Sequence, residues 1–223
     1  MSDKTNAQIT ELLQKTAKAL NKNNMEVFIV PTKEDALEVC KGLLNKGDTI
    51  ATGGSVTLKE CKIDELISNG DYVFYDRMSA KTEEEKLEIY RKAFSCNAYL
   101  SGTNAITESG EFYNVDGNSN RVAAMLFGPD RLIVVAGYNK IVKDINEAIY
   151  RVKTKAAPPN CERLNLDNYC RSEGKCVSLN KENPLMCEGC NSATRICCNY
   201  VTMGYQRRKD RVKVILVAEE LGF

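Results

Sequence analysis

Apolar positions in the first 155 residues follow two periods in turn. Residues 5–21 place Ile9, Leu12, Leu13, Ala17 and Leu20 at helical spacing, and Thr5 with Gln8 fits a capping box. A polar break at 21–24 leads into a strand at 25–30, stopped by Pro31. The pattern then predicts a helix over 33–45, a short strand at 48–51, and a helix opened by a Thr57/Glu60 capping box. A buried strand is expected at 72–75, a helix from Thr82 to about Phe94, and a strand at 98–101. Residues 104–115 read as two short β segments, 120–127 as a short helix, 131–135 as a core strand and 142–155 as a helix. Pro158-Pro159 then punctuates the chain.

Strands alternating with helices predict a three-layer α/β fold with a mostly parallel sheet. Leu132–Val135 is continuously apolar, as a strand buried on both faces should be. Residues 160–207 are polar, cysteine-rich and weakly periodic. The run Val214-Ile215-Leu216-Val217 behind them needs a large core, and the α/β unit offers one. The expected organisation is therefore an α/β domain over 1–159, a cysteine-rich excursion over 160–207, and a strand over 208–223 that returns to the sheet.

Apolar residues make up 43% of the 223, which argues for a folded globular chain. Lys plus Arg is 31 and Asp plus Glu is 30, so there is no electrostatic case for nucleic acid or an acidic membrane. There is no histidine. That removes Ser-His-Asp and Cys-His catalysis and HExxH zinc chemistry, and leaves proton transfer to Asp, Glu, Lys, Tyr or Cys. The first residues lack an apolar leader, and no run is long enough to span a membrane. A cytoplasmic chain with reduced thiols is the expectation.

Ten cysteines are divided unevenly. Cys40, Cys61 and Cys96 are scattered and read as buried apolar residues, whereas Cys161, Cys170, Cys176, Cys187, Cys190, Cys197 and Cys198 crowd into one segment. The crowding points to zinc or an iron–sulfur cluster, between which spacing does not choose; free thiols in a loop, or disulfides in an oxidised sample, are the alternatives. Gly53-Gly54-Ser55, at a strand-to-helix junction, suits an anion or is simply a tight turn. A dense polar run holds Asn104, Glu108, Asp116, Asn118, Asn120 and Arg121. Arg121 reads as a carboxylate anchor or a surface ion pair, and the asparagines as ligand contacts or helix caps. Glu108 or Asp116 is the candidate acid or base, with solvated turn residues as the alternative. Lys140 follows the carboxyl end of a core strand, as a ligand contact or a surface lysine.

The run Thr103-Asn104-Ala105-Ile106-Thr107-Glu108, then 114–124 and Phe127-Gly128-Pro129, resembles the LUD (lactate-utilisation) domain family. Gly53-Gly54-Ser55, the cysteine tail and the ending Glu219-Glu220-Leu221-Gly222-Phe223 fit it too. The resemblance implies a fold similar to glucosamine-6-phosphate deaminase, ribose-5-phosphate isomerase and CoA-transferases, with a ligand cavity at the strand carboxyl ends. It also implies lactate or organic-acid metabolism beside an iron–sulfur redox partner. The segment 177–188 is longer than the family pattern and adds Cys187. The expected metal ligands are Cys170, Cys176, Cys190 and Cys197, with Cys187 and Cys198 as substitutes.

Three functions compete at this stage. The first is an organic-acid protein that binds a small anionic metabolite and carries a cysteine-ligated centre, as an electron-transfer accessory. The second is an isomerase- or CoA-transferase-type enzyme in which Glu108 attacks a thioester. The third is a non-enzymatic scaffold with a structural zinc tail.

Overall fold

The computed structural model describes residues 4–223. Its elements, in order, are α1 (Asn6–Lys22), β1 (Glu26–Val30), α2 (Lys33–Gly42), β2 (Thr49–Thr52), α3 (Val56–Glu60), α4 (Ile63–Ile67), β3 (Val73–Phe74) and α5 (Glu83–Lys92). Then come β4 (Ala98–Ser101), β5 (Ala105–Thr107), β6 (Phe112–Asp116), α6 (Asn120–Leu126), β7 (Arg131–Gly137), β8 (Ile141–Val142) and α7 (Ile145–Arg151). The chain ends with α8 (Ala157–Arg163), α9 (Tyr169–Glu173), β9 (Asn199–Met203) and β10 (Val212–Val217).

Six strands form one sheet in the order β1-β10-β7-β4-β2-β3, every pair parallel. β10 lies between β1 and β7, so the last apolar run is central to the sheet. Successive residues of β7 and β10 feed opposite faces. Leu132, Val134, Val214 and Leu216 join α1 and α6 on one side. Ile133, Val135, Ile215 and Val217 join α2, α3 and α4 on the other. Burial on both faces is why these strands are continuously apolar. The scattered Cys40, Cys61 and Cys96 are at most 2% exposed within these cores.

A second, four-stranded sheet has the order β8-β5-β6-β9. Its hairpin β5–β6 is antiparallel, and β9 adds to β6 from within the cysteine-rich segment. Thus 160–207 is more than a loop: it completes this sheet and packs Cys197 and Tyr200 against Tyr113, Val115, Val152 and Ala157.

Several expectations are corrected. The helix expected over 33–45 ends at Gly42. The strand at 72–75 shrinks to two residues at the sheet edge, leaving Val73 51% exposed because only one neighbour covers it. Thr57 does not cap α3; Ser55 does, accepting from the Leu58 N–H at 3.3 Å. Pro158-Pro159 does not break the chain. α7 passes through one π turn at 152–156 directly into α8, whose first turn holds the prolines. Proline is tolerated in a first turn because its missing N–H would lack an intrahelical partner there. Among the described residues, no helix is long and apolar enough to cross a membrane.

Candidate functional site

Loops leaving the carboxyl ends of β2, β3, β4, β7 and β10 surround a cavity of about 450 Å³. α/β folds place ligands at this end of the sheet. Of the expected site residues, Gly54, Ser55, Asn104, Asp116, Asn118, Asn120, Arg121 and Lys140 line it. Gly53 and Glu108 do not.

Glu108 sits at the far tip of the β5–β6 hairpin and pairs with Lys15 of α1. The hairpin runs away from the cavity, so the expected nucleophile faces the wrong end. The CoA-transferase-type reading therefore has no geometric support from Glu108.

Arg121 is also reassigned. Its Nε donates to Asp116 Oδ1 at 3.0 Å, Nη1 to Asn114 Oδ1 at 2.7 Å, and Nη2 to Asn104 Oδ1 at 3.1 Å and to the Val115 carbonyl at 3.2 Å. A longer contact to the Gly102 carbonyl occupies the remaining donor of Nη1. A guanidinium has five donors, so little remains for a ligand carboxylate. Asp116 is held in turn by Arg121 and accepts the Val122 N–H at 3.1 Å, which caps α6. Asn104 Oδ1 takes the Val115 N–H at 2.8 Å. The dense polar run is thus chiefly a web joining hairpin, β4 loop and α6. Asp116 serves as an ion-pair partner rather than a free base. Neither Asn118 nor Asn120 caps α6; Ser119 holds that position in the left-handed region, at φ 62°.

The glycines have similar framework roles. A Cβ on Gly54 would stand 2.6 Å from Arg77 Nη2, and one on Gly102 would stand 2.6 Å from Ser55 Oγ. A Cβ on Gly53 would meet the Arg121 stem at 2.8 Å. What is left facing the cavity is mainly cationic. Its lining includes Arg77, Lys86, Arg121, Lys140 and Arg163, against the single acidic side chain of Asp116. Arg77, which no sequence motif marks, makes no hydrogen bond or ion pair with any described residue and lies over Gly54.

A second, smaller cavity of about 30 Å³ is lined by five cysteines: Cys161, Cys170, Cys176, Cys190 and Cys197. The four expected ligands are therefore together. Neither expected substitute lines it; Cys187 and Cys198 are exposed. The fifth thiol is Cys161 on α8, fully buried, with its Sγ 3.6 Å from that of Cys170. Arg195 ties the loops together by donating to the carbonyls of Cys187, Cys190 and Cys197 at 2.8–3.0 Å. Asn168 Nδ2 and Ser178 Oγ point at the sulfurs of Cys161 and Cys176, at 3.3 and 3.4 Å. Burial, reinforced by the neighbouring Cys176, pushes the Cys197 thiol up to about 12. Burial likewise raises Cys170. Among the described residues, no three His, Cys, Asp or Glu side chains are arranged to hold a metal ion. The two cavities share a wall of Val152, Ala157, Ile196 and Cys197.

A family profile for the LUD domain matches residues 13–217. No curated protein matches the sequence. Among solved structures, a DUF162 family protein from Deinococcus radiodurans is similar at 16% identity and TM-score 0.50, covering 96% of this chain and 99% of its own. Ribose 5-phosphate isomerase from Plasmodium falciparum is similar over 50% of this chain and 52% of its own, at 20% identity and TM-score 0.33. Ribose 5-phosphate isomerase A from Neisseria gonorrhoeae matches over 51% of this chain and 54% of its own, at 12% identity and TM-score 0.33.

Proposed function

The chain belongs to the LUD domain family, and from that premise we propose that it acts in lactate or organic-acid metabolism. It binds a small anionic metabolite in the larger cavity and carries a cysteine-ligated iron–sulfur centre beside it, as an accessory to electron transfer in the cytoplasm. The observation that carries this reading is the shared wall: Cys197 lines both cavities. A ligand and a redox centre held there would be neighbours.

The chemistry of the donors, though not yet their arrangement, suits the centre. All five candidate ligands are thiols, the cavity around them is largely apolar, and Asn168 and Ser178 supply hydrogen bonds to sulfur. Hydrogen bonding to sulfur and low exposure both set the potential of such centres. A bound cation would oppose the effect of burial, which pushes the Cys197 thiol up, and would favour its thiolate. Cys170, Cys176, Cys190 and Cys197 are the proposed ligands, with Cys161 replacing Cys187 and Cys198 as the alternate. An iron–sulfur centre supplies one-electron transfer when bound. The chain's residues do the rest: Arg77 and Lys140 attract the anion, while Val152 and Ala157 separate it from the thiols. A small iron–sulfur protein is the expected redox partner.

The test is the metal and sulfide content of wild-type protein purified without oxygen. Iron with acid-labile sulfide supports the reading. One zinc per chain would make the cysteine segment a structural tail, and protein without metal would remove the centre altogether.

A further inference from the structure

Lys140 stands apart from the saturated web around Arg121. Its side chain is 3% exposed, yet it lines the larger cavity. Its Nζ donates to Thr57 Oγ1 at 2.9 Å, and Thr57 donates onward to the Leu221 carbonyl at 3.3 Å. No carboxylate among the described residues pairs with it. An ammonium has three donors, so two are left without a protein acceptor. Burial therefore disfavours its charged form, and Arg151 from α7 and Arg121 from α6 add repulsion. Glu60 of α3 and Cys61 just beyond it act the other way. The outcome is an amine pushed down to about 7.

Arg77 is the complementary group. It lies over Gly54, while the site a Gly102 Cβ would occupy is 2.6 Å from Ser55 Oγ and 3.8 Å from Lys140 Nζ. Guanidinium and amine thus flank the two-residue corner Gly54–Ser55. Both line the same cavity, so one small ligand could place an anionic end at Arg77 and an electrophilic carbon at Lys140.

We propose that Lys140 is a nucleophilic amine that forms an imine with a short 2-oxo carboxylate whose carboxylate is held by Arg77. This rests on the reading that the cavity takes a small anionic metabolite. The free amine adds its electron pair to the carbonyl carbon, and a proton passes from nitrogen to the carbonyl oxygen. Loss of that hydroxyl with the second N–H proton, as water, leaves the imine, with no net oxidation or reduction. Lysine is suited to this step because burial lowers its proton affinity, whereas an arginine would stay charged.

The experiment uses two probes on the wild-type protein, each followed by borohydride reduction and peptide mapping. Pyridoxal phosphate, an aldehyde with an anionic group, is the first, and pyruvate is the second. The expected result is a reduced adduct on Lys140 with both, in preference to the exposed lysines, with labelling half-maximal near pH 7. Lys140→Met, checked for a cooperative melt, should lose the adduct. Adducts confined to exposed lysines, or a midpoint near the ordinary lysine value of about 10.4, would overturn the proposal. If pyruvate protects Lys140 from pyridoxal phosphate without adding to it, the anion cavity stands and the imine is wrong. If pyridoxal phosphate adds but pyruvate neither adds nor protects, the 2-oxo acid assignment is wrong.

Discussion

In the six-stranded sheet, β7 and β10 bury aliphatic side chains on both faces, and each makes a full ladder with two neighbours. In the four-stranded sheet, the hairpin β5–β6 depends on the Arg121 web, and β9 arrives from a segment whose interior is a ring of thiols. The first sheet is stabilised chiefly by apolar burial and needs no ligand to complete it. The second draws on buried polar pairs, which are costly when broken, and on a cavity that a bound centre would fill. The molecule thus joins a self-sufficient scaffold to a region whose order depends on specific partners; the larger cavity lies where the two meet, and the thiol cavity lies within the second region.

The largest expected effect strikes the scaffold. Deleting 211–223 removes β10 from between β1 and β7. Each lost aliphatic side chain costs roughly 2–5 kcal/mol against a total of about 5–15 kcal/mol. The truncated chain should show no cooperative melt; a normal melt would break the contrast.

Next comes the polar web. Arg121→Met strands Asp116, Asn114 and Asn104 without their shared donor. Removing one partner of a buried pair costs about 3–5 kcal/mol. Denaturant unfolding should show a loss of that size, while affinity for a small carboxylate, if measured in the folded population, should change little. Loss of binding with stability intact would restore the anchor role.

Lys140 gives the pH-dependent test. Its folded value of about 7 lies below the unfolded value. Between the two, the unfolded chain binds more protons, so stability rises with pH, and the penalty of burying the amine is complete below pH 7. Lys140→Met lacks this penalty. Its advantage over wild type should therefore shrink on going from pH 7 to 9, by up to about 2–3 kcal/mol. A difference that stays constant with pH would contradict this.

The smallest global effect belongs to the thiols. Cys170→Ala with Cys190→Ala should release the proposed centre and open 160–207 to limited proteolysis. The main melt should move little, since neither residue belongs to the two cores of the large sheet. Unchanged metal content would reject these ligands.

The scaffold was readable in the sequence because apolar burial leaves a local record. Val212–Val217 had to be buried somewhere, and the α/β periodicity supplied the place. The site was readable only as composition. Arg121 and Asp116 stood out as a polar cluster, but whether a guanidinium is saturated depends on Asn104, Asn114 and Val115 meeting in three dimensions. Glu108 belongs to the same run and faces the other way, because a hairpin separates its two ends. Cys161 belongs to the crowd of seven cysteines but not to the expected ligand set; the π turn that carries the helix through Pro158-Pro159 is what places it on α8 against Cys170. Arg77 follows a strand of only two residues, where little periodicity marks the spot.

The central claim is that anion cavity and thiol centre work as one site across the wall containing Cys197. The direct measurement is the electron paramagnetic resonance spectrum of anaerobically purified, dithionite-reduced protein, with and without added pyruvate or lactate. The account predicts an iron–sulfur signal whose shape changes when the acid binds. A protein with no such signal, or a signal indifferent to an acid that calorimetry shows to be bound, would contradict it.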